Sequence, residues 1–366
     1  MRILWLAHRD PLHPRAGGAE RTIVEVCTRL VKKGHEVILL VGGWENSKSF
    51  EYFNGIEINR FGKNIGPHLA LPIFLIKYKY DIVVNDLGHA IPWVFSTVLN
   101  KRNIVFFHHL HARSLPGQIN SVMAKLITAI ERCYFIIYHN TRVVTESTTA
   151  KNDLIKLGVK EDKIMMIPPG VDQILFHPTA KSNYPTLVYY GGMRKYKRPL
   201  EVLYLLKTLL GKFDNLKLFI IGKGPEEENM KRLTNKLNVQ HYVEFMGRLS
   251  SNELSEIVAS SWINIHTSIT EGWGFSILEA ASAGTPTVAY DVPGVRDAVE
   301  EVQNGIKVED GNREALAEAA YKILINPEKW FSSSIKIAQK YSWDKTAELW
   351  EYMGKEMLNA QGKLKI

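Results

Sequence analysis

Thr270-Glu271-Gly272-Trp273-Gly274-Phe275-Ser276-Ile277-Leu278-Glu279 is the stretch on which the reading of this chain turns. Two carboxylates stand eight residues apart, with two glycines, two aromatics and the start of an apolar run between them. Trp262 to His266 before it reads as a strand. Ile277, Leu278, Ala280, Ala281 and Ala283 read as the buried face of a helix that Gly284 and Pro286 end. The unit is therefore strand, glycine loop, helix. Amides at a helix start point outward and favour a phosphate, and Gly272 and Gly274 let that phosphate approach the backbone. Glu271 is then placed to accept hydrogen bonds from neighbouring hydroxyls of a sugar, and Glu279 from a ribose diol. A loop of this kind suits a nucleotide sugar. The alternative is purely local: Ser276 and Glu279 spell S-x-x-E, a capping box, which would leave Glu271 a solvated loop residue.

Working outward, strand and helix alternate through the whole chain. The first series has strands at Ile3 to Ala7, Glu36 to Val41, Asp81 to Asn85, Asn103 to Phe107, Arg142 to Thr145 and Lys163 to Ile167. It reads as a parallel α/β domain over residues 1–170. Pro168-Pro169-Gly170 opens a Pro-rich linker that runs to Pro185. A second series follows over 186–335, with strands at Leu187 to Tyr190, Leu216 to Ile221, Val243 to Met246, Trp262 to His266, Thr287 to Tyr290 and Ile306 to Val308. Two doubly wound domains place ligands outside the carboxyl ends of their strands. A last helical stretch lies in 336–366 and contains Leu349, Trp350 and Met353.

The 366 residues, 45% hydrophobic and 23% charged, are ordinary globular composition and enough for two cored domains. Both cysteines, Cys27 and Cys133, read as core thiols, which fits a reducing, cytoplasmic compartment. The apolar start Met1 to Ala7 is too short for a signal peptide, and no run reaches the ~18 apolar residues of a membrane span. The net charge of +8 is uneven. Residues 1–170 carry 22 Lys+Arg against 14 Asp+Glu, whereas the remainder is balanced. The first half should therefore meet something anionic. Its stretch Val122, Leu126, Ile127, Ile130, Phe135, Ile136, Ile137 and Tyr138, interleaved with Lys125 and Arg132, can lie in a bilayer interface or can be a buried core helix.

Glu271 to Gly284, then Thr287-Val288-Ala289-Tyr290 and Pro293-Gly294-Val295, resembles the E-x7-E signature of the retaining glycosyltransferases of family 4. The resemblance implies a GT-B fold, two Rossmann-like domains facing across a cleft, with the donor held by the C-terminal one and the last helix crossing back to the first. It implies that Glu271 contacts the sugar and Glu279 the ribose, with Gly272, Gly274, Phe275 and Ser276 around the diphosphate. Gly17-Gly18-Ala19-Glu20 resembles the family's N-terminal G-G-x-E loop, otherwise a tight strand-to-helix turn. His108 matches by register the histidine that contacts the transferred sugar; His109 is the alternative, and His111 lies on the same acceptor-side loop.

The family's G-R-x4-K pattern falls on Tyr190-Gly191-Gly192-Met193-Arg194-Lys195-Tyr196-Lys197. Lys197 matches the lysine that neutralises the departing diphosphate, but Gly192 stands where the arginine is usual, and Arg194 is the candidate replacement. Gly222-Lys223-Gly224-Pro225 resembles the loop near the nucleotide, and Arg248 opens the segment that meets the base. The implied substrates are a nucleoside diphosphate hexose, UDP- or GDP-linked, and a glycan or lipid-linked acceptor, with peripheral membrane contact through the first domain and no nucleic acid. There is no D-x-D, so no metal or other cofactor is expected. There is no G-x-S-x-G or G-x-G-x-x-G either, which counts against a hydrolase and a dinucleotide enzyme.

Overall fold

The computed structural model describes residues 1–63, 65–88, 91–99, 102–113, 115, 119–138, 140–299 and 303–362. The end of the expected C-terminal segment, 363–366, lies outside the described residues. The chain divides into two compact units, one of Met1–Ala112, Val122–Gly170 and Trp343–Ile366, the other of Arg113–Ser121 and Val171–Ser342.

The first unit is built on strands β1 (Arg2–Leu6), β2 (Glu36–Val41), β3 (Phe50–Phe53), β4 (Ile56–Arg60), β5 (Ile82–Asp86), β6 (Asn103–Phe107), β7 (Arg142–Thr145) and β8 (Ile164–Met166). They form one sheet in the order β3-β4-β2-β1-β5-β6-β7-β8. Every pairing is parallel except β3 with β4, so the sheet is mixed where a parallel one was expected. The cause is local. Asn54 and Gly55 have φ of 51° and 80°, the left-handed pair that closes a two-residue hairpin, and a hairpin forces antiparallel pairing.

Side-chain alternation along the central strands feeds two cores. Ile3 and Trp5 pack with helix α1 (Gly18–Lys32), whose Ile23, Val26, Cys27 and Leu30 recur at helical spacing. Leu4 and Leu6 point the other way, into a core closed by helices α2 (Gly66–Lys77), α4 (Ser121–Tyr138) and α5 (Thr148–Lys156), with α3 (Val94–Leu99) packed on α2. Cys133 departs from expectation: it sits on the outer stripe of α4 and is exposed, whereas Cys27 is buried.

The second unit has strands β9 (Thr186–Tyr190), β10 (Lys217–Ile221), β11 (Val243–Gly247), β12 (Ile263–His266), β13 (Thr287–Tyr290) and β14 (Gly305–Val308). All pair in parallel, in the order β11-β10-β9-β12-β13-β14. Around them lie α6 (Glu201–Leu209), α7 (Glu227–Lys236), α8 (Ser251–Ser260), α9 (Phe275–Ser282), α10 (Val295–Ala298), α11 (Arg313–Leu324) and α12 (Glu328–Ala338). The last helix, α13 (Trp343–Gly362), belongs to the first unit. The Trp350 ring packs against Trp5 at a tilt of 45° with centroids 4.8 Å apart, and Asp344 pairs with Arg29 at 2.7 Å.

The strand orders locate the places where a ligand can enter. In the second sheet the chain winds one way from β9 to β11 and the other way from β12 to β14, so the direction reverses between β9 and β12. Diverging loops leave a crevice at such a point. The loop after β9 carries Lys197 and the loop after β12 carries Glu271. In the first sheet the reversal lies between β1 and β5. The loop after β1 there carries Gly17 and Gly18, and Asp86 ends β5.

Candidate active site

At the second unit's crevice the two loops are tied together. Ile269 N–H donates to Tyr196 O at 2.8 Å, and Thr267 Oγ1 donates to Lys197 O at 2.9 Å. Lys197 Nζ donates to Glu271 Oε1 at 2.8 Å, and Ser268 Oγ donates to the same oxygen at 2.7 Å. Burial alone would raise the Glu271 pKa, but Lys197 outweighs it and holds the carboxylate at about 2. Glu271 in turn holds Lys197 above the usual lysine range against the opposing effect of burial. The two groups were assigned separate partners from sequence, phosphate for one and sugar for the other. Here they neutralise each other.

His266 ends β12 with Nε2 3.7 Å from Glu271 Oε1. Burial, with Lys197 and Arg198 nearby, lowers its pKa to about 4 although Glu271 opposes the shift, so the ring is neutral at ordinary pH. Its Nδ1, the Tyr189 hydroxyl, the Thr270 hydroxyl and the Trp273 Nε1 are buried polar atoms with no hydrogen-bond partner among the described residues. Such groups in and beside a crevice suit a polar ligand or water.

Glu271 is held by its own backbone as well. Its N–H donates to Pro293 O at 3.0 Å. A Cβ on Gly294, whose φ is 79°, would stand 2.1 Å from Glu271 O, so only glycine allows this approach. Helix α9 begins with Gly274 as N-cap at φ 87° and no side-chain cap. The capping-box alternative for Ser276 and Glu279 is thereby overturned, because Ser276 lies inside the helix. Ser276 O accepts from the Tyr190 hydroxyl at 2.6 Å, Gly272 and Phe275 flank the helix start, and Glu279 is buried on α9 at 6% exposure.

Arg194 is exposed on the loop after β9. Its Nε lies 3.7 Å from where a Cβ on Gly192 would stand, so its side chain runs over the position of the usual arginine. Gly222 and Gly224 have a structural reason to be glycine: a Cβ on them would stand 2.0 Å from Gly191 O and 2.4 Å from Met193 O. The two loops thus pack backbone to backbone. Arg248 is exposed beyond β11.

The first unit holds a second cluster. His108 follows β6 with Nε2 2.9 Å from Asp86 Oδ1 and Nδ1 3.0 Å from Glu146 Oε2. Carboxylates only accept, so both ring nitrogens donate and the ring is an imidazolium. Burial opposes this, but the two carboxylates raise the pKa well above the ordinary histidine value. Glu146 also accepts from the Thr22 hydroxyl at 3.1 Å. Both ring nitrogens of His108, expected from the resemblance to contact the sugar, are thus engaged by carboxylates of the first unit.

His111, expected on the acceptor side, binds Glu131 of α4 through Nδ1 at 2.8 Å, which pins its loop, and His109 lies beside it with ring centroids 5.2 Å apart. Glu20 folds back on its own helix start, taking the Gly17 N–H at 2.7 Å, so the loop of Gly17 and Gly18 is closed by its own acid. Asp86, Glu146, His266, Ser268 and Arg198 were missed in the sequence. All but Arg198 share one signal, a polar residue at or just past the carboxyl end of an apolar strand.

Comparison with known proteins agrees with this architecture. Residues 16–173 match the family "Glycosyltransferase Family 4" and residues 171–338 match "Glycosyl transferases group 1". The chain is 28% identical over 353 residues to an uncharacterized glycosyltransferase of Haemophilus influenzae, covering 92% of this chain and 96% of that one. It is 24% identical over 379 residues to a phosphatidylinositol N-acetylglucosaminyltransferase subunit of Arabidopsis thaliana, covering 95% and 80%. In fold it is similar to Anabaena HepE in complex with UDP and glucose, with a TM-score of 0.77, 16% identity, and 97% and 100% of the two chains covered. With matches running across both units and a Rossmann-like sheet in each, the chain belongs to glycosyltransferase family 4 and has the GT-B fold.

Proposed function

We propose that this glycosyltransferase is a retaining hexosyltransferase that takes its sugar from a nucleoside diphosphate donor, UDP- or GDP-linked. The observation that carries the reading is the Lys197–Glu271 pair at the second unit's crevice, beside the start of α9, with buried Glu279 on that helix. A bound donor gives each member of the pair its own partner. Lys197, helped by Arg194, neutralises the diphosphate, and Glu271 takes sugar hydroxyls. Glu279 takes the ribose diol, and the Gly274 and Phe275 amides add donors for phosphate. Retention then proceeds by front-face attack, in which the leaving phosphate accepts the acceptor's proton. The protein contributes positioning and electrostatic stabilisation. Lys197, Arg194 and the helix start supply positive charge, so transfer needs no metal.

The acceptor is a glycan or a lipid-linked, anionic saccharide met at a membrane surface by the first unit. The positive balance of residues 1–170 and the lipid acceptor in the Arabidopsis relative's name support this. A second reading, a nucleotide-sugar binding protein with weak or no turnover, is motivated by Gly192; the position of Arg194 weighs against it. A panel of UDP, GDP and ADP and their sugars, read by thermal stabilisation and by release of free nucleoside diphosphate with and without EDTA, tests the proposal. Stabilisation with no release under any acceptor condition favours the second reading. Loss of turnover on chelation, restored by manganese or magnesium, removes the metal-free mechanism.

A further inference from the structure

A surface helix ordinarily turns polar residues to water, and α2 does not. Ile65, just before it, and Leu69, Ile73 and Ile76 within it follow one another along the outward face and are 55, 68, 61 and 79% exposed. The first outward charges come at Lys77 and Lys79. On the same flank α4 turns out Val122, Leu126, Cys133 and Ile136, with Lys125 and Arg132 beside them. Within the same run Tyr138 faces inward and Ile130 and Ile137 pack against the core, as the buried-helix alternative has it; the Phe135 side chain lies outside the described residues.

The pattern belongs to one side of the sheet. On the other side, among the described residues of α1 and α13, Tyr352 is the one large apolar residue that is exposed. An apolar face this broad on one flank calls for a cover. The charge around it selects the kind. Among the described residues of the first unit, 61–140 carry Lys63, Lys77, Lys79, Arg102, Lys125 and Arg132 against three Asp/Glu, two of which, Asp86 and Glu131, are buried. No helix among the described residues is long and apolar enough to cross a membrane.

We infer that the flank formed by α2 and α4 is a docking surface for an anionic lipid bilayer, its isoleucines and leucines entering the interface and its lysines and arginines meeting headgroups. The inference gives the membrane-borne acceptor reading its surface, and it is tested separately from that reading.

The full-length protein is sedimented with vesicles of zwitterionic phospholipid, with and without phosphatidylglycerol, at low and high salt. Binding is expected to anionic vesicles at low salt and to weaken at high salt. The triple variant Leu69→Glu, Ile73→Glu, Ile76→Glu should lose about tenfold or more of its partitioning. Tyr52→Glu, equally exposed but on β3, should leave binding unchanged. A polarity-sensitive fluorophore on exposed Cys133 should shift to the blue on binding, and circular dichroism checks that the variants fold.

Absence of vesicle binding, or binding indifferent to the triple variant, overturns the inference. So does a concentration-dependent dimer that the triple variant dissociates, if vesicles are not bound, because the face then covers a second copy. Vesicle binding without transfer to any lipid-linked acceptor leaves the surface standing and removes the acceptor reading. Transfer without vesicle binding does the reverse.

Discussion

His108 and His266 are equally buried, at 5% exposure each, and each stands at the carboxyl end of a parallel strand in its own unit. They carry opposite charge states. His108 has a carboxylate on each nitrogen and is held protonated. His266 faces one carboxylate whose charge Lys197 has already taken, and burial leaves it neutral. Burial alone disfavours the cation in both, so the number of uncommitted carboxylates decides. The first unit's cluster is a rigid internal brace of fixed charge. The second unit's cluster is a pair of opposite charges in which each member can be given a better partner.

The sharpest way to break this contrast is to remove the exchangeable pair. Glu271→Ala is expected to lower sugar transfer by about a thousandfold while leaving binding of the free nucleoside diphosphate largely intact. Glu279→Ala should instead weaken nucleotide binding. Transfer rates beside calorimetric nucleotide affinities decide; normal transfer by both variants removes the donor site as drawn.

The brace is tested by stability. His108→Leu leaves Asp86 and Glu146 buried together without a cation and should cost about 3–5 kcal/mol in the first unit. His266→Leu removes a neutral ring with one unpartnered nitrogen and should cost under about 1.5 kcal/mol. Denaturant titrations compare the two, and equal losses would show that the charge states differ less than the geometry indicates.

The pH dependences have opposite sign. The raised His108 pKa means that its stabilisation is complete below the ordinary value of 6.5 and is lost as pH rises through the folded-state value. His266 has its folded-state pKa lowered to about 4. It costs stability as pH falls from 6.5 towards 4, by up to roughly 3 kcal/mol. In a melting series, His266→Leu should remove part of the acid-side loss, and Asp86→Asn should bring the alkaline-side loss to lower pH. An unchanged acid limb in His266→Leu would assign that limb to other groups.

The smallest effect concerns the departure from the family's pattern. A side chain at Gly192 would meet Arg194 at ordinary contact distance, so Gly192→Arg should fold. Its activity is expected to be unchanged or raised a few-fold, and Arg194→Ala should hurt the natural protein more than the Gly192→Arg background. Equal losses in the two backgrounds would mean that Arg194 does not replace the missing arginine.

The sequence by itself determined the alternation of strand and helix, and with it two Rossmann-like units. Buried parallel strands such as Ile3 to Leu6 and Leu187 to Tyr190 read as unbroken apolar runs, and α1 repeats its apolar face at helical spacing. It also contained the signal it was not credited with at Asn54-Gly55, where two left-handed residues require a hairpin. What it could not hold were pairings between residues far apart in the chain. Asp86, His108 and Glu146 come from three strands or their ends and meet only because β5, β6 and β7 are neighbours in register. Lys197 reaches Glu271 across 74 residues because β9 and β12 flank the reversal of the sheet. Likewise, a helix as uniformly apolar as α2 gives no periodic clue to which side faces out, and α4 mixes inward and outward residues within one run. Only packing against the sheet fixed that Leu71 turns in and Ile73 turns out. A side chain's charge and exposure depend on what the fold brings beside it, and those neighbours are set by sheet order rather than by adjacency in sequence.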